Sequence, residues 1–156
     1  MYSVLTFEAT RALRLLRPSD PLARAAAAAA ADFCLCRVLV YQRKARPARK
    51  KGLYCCPPCS CAFWRLLVTG DLHRIPSEQF EREALESLKL YRRDGGWRGF
   101  PFHYALLALV DFRTPKVVAE LRYAAPQLES LLKKPAAETV YAARRRILAE
   151  RVLRRV

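Results

Sequence analysis

The chain has 156 residues, enough for one ordinary domain with an extension, and its hydrophobic content of 53% excludes a wholly disordered protein. The formal net charge is +15, from 29 basic and 14 acidic residues, and 22 of the basic residues are arginine. Such self-repulsion disfavours a free globular protein, whereas the planar arginine fork matches phosphate. We therefore expect a nucleic acid partner; an anionic membrane surface and an acidic protein are the alternatives.

Residues 1–76 are predicted to form a basic N-terminal extension that is partly helical and partly irregular. Helices are predicted over residues 4–16 and, because of the alanine run at 25–31, over residues 22–41. The stretch up to Arg24 is rich in arginine and poor in acids, as mitochondrial transit peptides are, and a retained arm lying on RNA has the same composition. The sequence contains no apolar stretch of 18 residues or more, so we expect no membrane span.

A strongly basic segment follows at residues 43–52, where six positive charges accompany Pro47 and Gly52. One interpretation is a solvated linker, and the other is an arm that becomes ordered on RNA. The overall charge favours the arm. Its predicted RNA contacts are Arg46, Arg49, Lys50 and Lys51.

Six cysteines lie in a short region of the extension, as a C-x-C at Cys34 and Cys36 and a C-C-P-P-C-S-C run from Cys55. Thiolates at such spacings are typical of zinc sites, and an iron–sulfur cluster uses the same ligand type. The alternatives are free buried thiols and a disulfide. The C-x-C pair and the C-x-x-C pair together could supply four ligands to one ion, but the set we predict as metal ligands is Cys55, Cys56, Cys59 and Cys61.

Residues 77–156 are predicted to form a small α+β domain. Ser77 with Glu78 and Glu81 is typical of a helix N-terminus. Three strands are predicted at residues 88–92, 102–110 and 117–123, the second one central because it is apolar on both faces. Helices at residues 126–132 and 136–155 would flank this small mixed β-sheet.

The order of these motifs resembles a known family. The stretches that carry the resemblance are Leu88-Lys89-Leu90-Tyr91-Arg92, Gly95-Gly96, Phe100-Pro101-Phe102-His103-Tyr104, Asp111-Phe112-Arg113 and Val118 to Pro126. Together they resemble the core of the S-sixteen family of bacterial-type small-subunit ribosomal proteins, over about 39 of the 156 residues. The sequence departs from the family in its short Thr114-Pro115-Lys116 connection and in lacking the family's tryptophan-containing helix.

The resemblance implies a structural protein of the small ribosomal subunit, here a mitochondrial one in the matrix, that binds and stabilises ribosomal RNA beside neighbouring ribosomal proteins. Basic residues at strand ends and loops would contact phosphates. Those in this domain are Lys89, Arg92, Arg93, Arg98 and Arg113. Trp97 is predicted either to stack on an unpaired base or to cover the sheet edge.

The sequence favours two other function classes less. Catalysis is not expected, nor is a small-molecule substrate, because the two histidines, His73 and His103, have no nucleophile or paired carboxylate motif beside them. The stronger rival is a non-catalytic accessory subunit of a mitochondrial inner-membrane complex. Leu90-Tyr91-Arg92 matches the L-Y-R tripeptide of a helical family found there, although Gly95 and Gly96 would break its helix. A sheet over residues 88–123 favours the ribosomal hypothesis, and a three-helix bundle favours the rival.

Overall fold

The structure, a computed structural model, describes residues 2–44, 52–69, 77–135 and 138–156. Within these ranges the chain forms seven helices and one short hairpin. The helices are α1 (Tyr2–Leu16), α2 (Pro21–Lys44), α3 (Pro57–Leu67), α4 (Ser77–Lys89), α5 (Phe102–Asp111), α6 (Val117–Lys133) and α7 (Val140–Leu153). The hairpin pairs β1 (Arg92–Arg93) with β2 (Gly96–Trp97) in antiparallel fashion.

The predicted α+β fold is wrong, because the described chain is mostly helical and its one sheet has two strands of two residues. The predicted central strand at 102–110 is helix α5, the predicted strand at 117–123 is the first half of α6, and most of the strand predicted at 88–92 lies at the end of α4 and in the turn that follows. The run Ala105-Leu106-Leu107-Ala108-Leu109 explains the error, since alanine and leucine are strong helix formers. Periodicity alone does not distinguish a fully buried strand from a buried helix.

Other sequence predictions agree with the structure. Helices α1 and α2 cover the two helices predicted in the extension, and α4 begins at the predicted residue, Ser77. Helix α7 lies within the last predicted helix; Leu148 and Val152 of its apolar stripe are buried, whereas Tyr141 is exposed. Helix α3 was not predicted at all.

One hydrophobic core contains residues from both the extension and the C-terminal region, and Trp64 of α3 lies within it. The Trp64 ring is fully buried, stacks on Phe100 at 5.7 Å and meets the edge of Phe112 at 5.9 Å. Its Nε1 donates a hydrogen bond of 2.7 Å to the carbonyl of Gly52. Gly52 has a φ of +77°, and a Cβ there would lie 2.3 Å from the backbone nitrogen of Ala84, so only glycine fits between α3 and α4.

An ionic network ties α1 and α3 to α5. Glu8 accepts hydrogen bonds from Arg65 at 3.0 Å and from the hydroxyl of Tyr104 at 2.6 Å. Asp111 pairs with Arg11 at 3.0 Å and with Arg65 at 3.7 Å. Two arginines of the basic surplus are therefore engaged in holding helices together.

Candidate functional site

The cysteine run lies at the N-terminus of α3. Cys56 is the N-cap residue in extended conformation, and Pro57 and Pro58 occupy the first helical turn, where the missing proline N–H costs no hydrogen bond. The Ser60 hydroxyl fixes the entering chain, because it donates to the Cys56 carbonyl at 2.9 Å and accepts from the Tyr54 N–H at 2.9 Å. These hydrogen bonds hold Tyr54 and Cys56 against the first turn of α3.

The fold brings three thiols together. The sulfur atoms of Cys55, Cys56 and Cys59 all lie within 4.8 Å of one another, and those of Cys55 and Cys56 are 4.0 Å apart. Cys55 and Cys56 are exposed, whereas Cys59 is buried. Three convergent thiols at this spacing could hold a metal ion.

The three thiols differ in their readiness to ionise. Burial, together with its hydrogen bonds to Cys56 and Cys55, raises the pKa of Cys59 to about 12. Burial also raises the pKa of Cys55. For Cys56, burial acts in the same direction, but hydrogen bonds from the Cys59 N–H and from the neighbouring thiols outweigh it, so that its pKa is lowered. Cys56 is therefore the most acidic thiol of the three.

The fourth predicted ligand, Cys61, lies apart from the cluster. Its side chain is fully buried in the core, and burial raises its pKa. Cys34 is buried as well, with its sulfur 3.7 Å from the Thr10 hydroxyl, and Cys36 is exposed on α2. Within the described residues the cluster comprises Cys55, Cys56 and Cys59, so the other cysteines do not complete it.

The strand register of the hairpin determines which of its side chains, predicted as RNA contacts, face α6. Asp94 and Gly95 form its two-residue loop, both with positive φ, and Arg92 is paired with Trp97 across the strands. Cross-strand partners point to the same face of a sheet, so these two side chains turn together toward α6.

The side chains of Arg92 and Trp97 both donate hydrogen bonds to Glu120, which is fully buried. Arg92 donates to the two carboxylate oxygens of Glu120, at 2.7 and 3.2 Å, and its guanidinium lies 4.6 Å from the Tyr123 ring centroid. Trp97 donates from Nε1 to the same carboxylate at 3.0 Å, and its ring is 4% exposed. Trp97 is therefore buried against the protein and is not presented for stacking on a base, whereas the Arg92 side chain binds Glu120 and is 34% exposed.

The remaining predicted contacts of the C-terminal region are exposed as well, and none of their side chains is shown bound to a buried carboxylate among the described residues. Arg93 lies on the outer face of β1 with Asp94 at 3.3 Å, and Lys89 ends α4 with Glu86 at 2.8 Å. Arg98 follows β2, and Arg113 lies in the turn between α5 and α6, whose N–H groups are held by the carboxylate of buried Glu81. The predicted contacts of the basic segment, Arg46, Arg49, Lys50 and Lys51, lie outside the described residues.

The sequence interpretation did not single out as contacts the arginines of α7 and of the two residues that follow it, Arg154 and Arg155. Four of them are exposed, namely Arg144, Arg145, Arg151 and Arg154. Two others point inward: Arg146 donates to the carbonyls of Leu132 and Lys134, and Arg155 to those of Val110 and Phe112. These carbonyls lie at or near the C-terminal ends of α5 and α6, where arginine complements the helix dipole. The close spacing of these arginines in the sequence was the available signal, but it does not distinguish the exposed arginines from those that point inward.

Comparisons with protein-family models, curated proteins and solved structures found no match to this chain. The resemblance to the S-sixteen family thus has no support from these comparisons. Among the described helices, none combines the length and the apolar character needed to cross a bilayer.

Proposed function

We propose that the protein binds RNA through its outward-facing arginines and catalyses no reaction. The observation that carries this proposal is a set of exposed arginine side chains that have no carboxylate partner among the described residues. They are Arg98, Arg113, Arg144, Arg145 and Arg154.

A phosphate backbone satisfies such a surface because each neutralised phosphate also releases condensed counterions. Guanidinium groups add bidentate hydrogen bonds to the phosphate oxygens. Contacts of this kind position a protein on RNA by its shape and backbone, without reading its sequence. A structural protein that only positions itself on RNA requires no base-specific contact and no catalytic group on this surface.

The narrower proposal is a structural protein of the mitochondrial small ribosomal subunit that takes part in translation. Its support is the net charge and the arginine content. The order of sequence motifs gave a further reason, but two of the three strands on which that resemblance depended are helical. The narrower proposal consequently depends on charge and composition.

Sedimentation of the tagged protein from mitochondrial lysate tests both levels of the proposal. We expect co-migration with the small ribosomal subunit that is lost after RNase treatment. Co-migration with another RNase-sensitive particle would retain RNA binding and refute the ribosomal assignment. Migration that is indifferent to RNase would refute both.

The scarcity of sheet favours a second candidate, the accessory subunit of a mitochondrial inner-membrane complex, although the seven described helices are not the three-helix bundle that this hypothesis expected. The tripeptide that suggested it is not itself helical, since Leu90-Tyr91-Arg92 lies in the turn and first strand after α4. In the same sedimentation experiment, this candidate predicts detergent-dependent migration that RNase does not change.

We further infer that the Cys55, Cys56 and Cys59 cluster binds a single zinc ion. Ligands about 2.3 Å from a tetrahedral zinc lie roughly 3.8 Å from one another, close to the spacing of these sulfurs. An iron–sulfur cluster distributes its cysteines over several iron atoms, so it needs ligands that are spread more widely. Three protein ligands leave the fourth position to water or to a side chain of a partner.

Metal analysis of protein purified under reducing conditions tests this inference. We expect about one zinc per chain in the wild type and in the control Cys36→Ser, which changes an exposed thiol outside the cluster. Cys56→Ser should lose the metal. Iron with acid-labile sulfide in place of zinc would contradict the single-ion inference, and an unchanged zinc content in Cys56→Ser would exclude the cluster as the site.

A further inference from the structure

Helix α2 has two apolar faces, and one of them is exposed to solvent. The buried face belongs to the hydrophobic core and is formed by Ala31, Cys34, Leu35 and Val38. The exposed face consists of Leu22, Ala26, Ala29, Phe33, Cys36 and Val40. At about 3.6 residues per turn, these two sets of residues lie on opposite sides of the helix. The exposed face therefore points away from the rest of the protein.

The six exposed positions have the spacing of a coiled-coil seam. Successive members are four, three, four, three and four residues apart, which is the pattern of the a and d positions of a heptad. The seam extends over about 27 Å, since each helical residue adds about 1.5 Å. Its large side chains lie in water, because Leu22 is 80% exposed and Phe33 is 55% exposed. A helix that is apolar on both sides is expected to be covered on both sides.

Few charges interrupt the exposed face of α2. Residues 22–40 contain three charged side chains, Arg24, Asp32 and Arg37, in a chain that has 29 basic residues. Asp32 and Arg37 are exposed and flank the seam on its two sides, in the g and e positions of the heptad. A face with so little net charge does not match a polyanion such as RNA. It matches a second apolar helix.

The two flanking charges match a second copy of the same helix. In a parallel pair of helices, a g residue lies beside the e residue that is five positions further along the other helix. Asp32 and Arg37 have this spacing, so a two-fold symmetric pair would form the Asp32–Arg37 ion pair twice. An antiparallel pair that overlaps the whole seam would instead place the two Asp32 carboxylates beside each other.

We propose that the chain forms a homodimer in which the exposed faces of α2 pair as a parallel coiled coil. Phe33 occupies an a layer, and the small side chains of Ala26 and Ala29 allow the two helices to approach closely. Cys36 occupies a d layer, where each thiol faces its own copy. The inference goes beyond the proposed RNA binding and does not depend on it, because the seam contains no arginine.

Sedimentation equilibrium of the full chain, freed of RNA and kept in a reducing buffer, tests the dimer. We expect a mass of twice 17.9 kDa that falls toward the monomer on dilution. Phe33→Lys places two ammonium groups in one layer of the seam and should raise the dissociation constant about a hundredfold or more. The matched control is Ile147→Lys, which makes the same change at an exposed position of α7 and should leave the constant within about twofold.

A charge exchange tests the pairing of Asp32 with Arg37, and it keeps the proposal testable should Phe33→Lys not fold. Asp32→Arg replaces both ion pairs by like charges and should weaken dimerisation about tenfold or more. The double variant Asp32→Arg, Arg37→Asp restores opposite charges and should return the dissociation constant to within about threefold of the wild type. Far-UV circular dichroism establishes that each variant folds. A double variant as weak as Asp32→Arg would overturn the parallel pairing.

Cys36 gives a second readout of orientation. A disulfide requires the two Cα atoms to lie within about 7 Å, which facing d positions of a parallel pair permit. Diamide takes one hydrogen atom from each of two Cys36 thiols, so it should produce a covalent dimer that Cys36→Ser does not form. Absence of this link, or equal linkage in Cys36→Ser, would overturn the parallel orientation.

The oligomeric state of the wild type decides whether a second copy covers the exposed face. A monomer at all concentrations would overturn the proposal. If that monomer bound vesicles of anionic lipid and Phe33→Lys abolished the binding, the face would belong to a membrane surface instead. A dimer that Phe33→Lys and Ile147→Lys leave equally intact would form through another surface, and would also overturn the proposal.

Discussion

The hairpin and helix α7 are both rich in arginine, yet they use it in opposite ways. Arg92 of the hairpin is bound to a carboxylate that is fully buried, whereas Arg144 and Arg145 of α7 face solvent without a carboxylate partner among the described residues. Formal net charge counts these side chains equally. The difference teaches that a basic sequence predicts a polyanion partner but does not locate its contact surface, because part of the charge stabilises the fold.

The largest expected effect comes from removing the hairpin's buried anion. Glu120→Leu leaves the buried Trp97 N–H without its acceptor and removes both hydrogen bonds of Arg92, so the free energy of unfolding should fall by about 3 kcal/mol. Urea denaturation measures this. Glu86→Leu is the control, because its ion pair with Lys89 is exposed and should contribute under about 0.5 kcal/mol. A loss below about 1 kcal/mol for Glu120→Leu would mean that the contacts of Glu120 with Arg92 and Trp97 do not stabilise the hairpin.

Adjacent residues of β1 allow a closer test of the same contrast. Arg92→Gln should lower the free energy of unfolding by about 2 kcal/mol and leave the salt dependence of RNA binding unchanged, because its guanidinium is bound to Glu120. Arg93→Gln should change stability by under about 0.5 kcal/mol and lower the salt slope by about one, as expected for the loss of one phosphate contact.

Filter binding over a salt series and urea unfolding give the two readouts. Equal salt slopes for Arg92→Gln and Arg93→Gln would show that strand register does not decide which arginine meets RNA. A loss of stability in Arg93→Gln as large as that in Arg92→Gln would contradict the inward and outward assignment itself.

The extent to which the sequence predicted this structure depends on which physical signal it carried. Helices α1, α2, α4 and α7 were predicted because propensity, a cap or an apolar stripe marked each of them. Helix α5 was taken as a strand because an apolar run carries no periodicity, and α3 was overlooked although Pro57 is well placed for a first helical position.

The candidate site residues also differ in how far the sequence could predict their contacts. The proximity of Cys55, Cys56 and Cys59 is local and followed from their spacing, but Cys61, two residues further on, lies in the core because α3 rotates it inward. The partners of Arg92 and Trp97 were not predictable, since Glu120 is 28 and 23 residues away and meets them only through the packing of α6 against the hairpin.

Helix α7 and the residues that follow it contain both kinds of arginine, which permits a test with matched charge changes. The double variant Arg146→Gln, Arg155→Gln removes hydrogen bonds to four carbonyls and should lower the free energy of unfolding by about 1–2 kcal/mol. Arg144→Gln, Arg145→Gln should leave stability within about 0.5 kcal/mol and lower the RNA salt slope by about 1.5. The reverse assignment of the two effects would refute RNA contact by the outer face of α7.

The smallest expected effect is a pH dependence that links α7 to α5. Burial lowers the pKa of His103 below 6.5, and the nearby charge of Arg145 lowers it further. The folded state therefore binds fewer protons than the unfolded state in this range, so the stability from neutral His103 is present above about pH 6.5 and is lost as pH falls through the lower folded pKa. Its Nε2 is buried without a hydrogen-bond partner among the described residues, which agrees with a neutral ring.

Arg145→Gln should shift the pKa of His103 upward, toward its ordinary value, and reduce the fall in stability between pH 7.5 and pH 5.5. Proton NMR titration of the histidine resonances, assigned with His103→Phe, measures the first effect, and urea unfolding at the two pH values measures the second. Arg144→Gln is the matched control, since Arg145 is the charged residue that lowers the pKa of His103. An equal shift in both variants would mean that His103 senses the summed charge of α7, and an absent shift would place Arg145 too far from the ring to act on it.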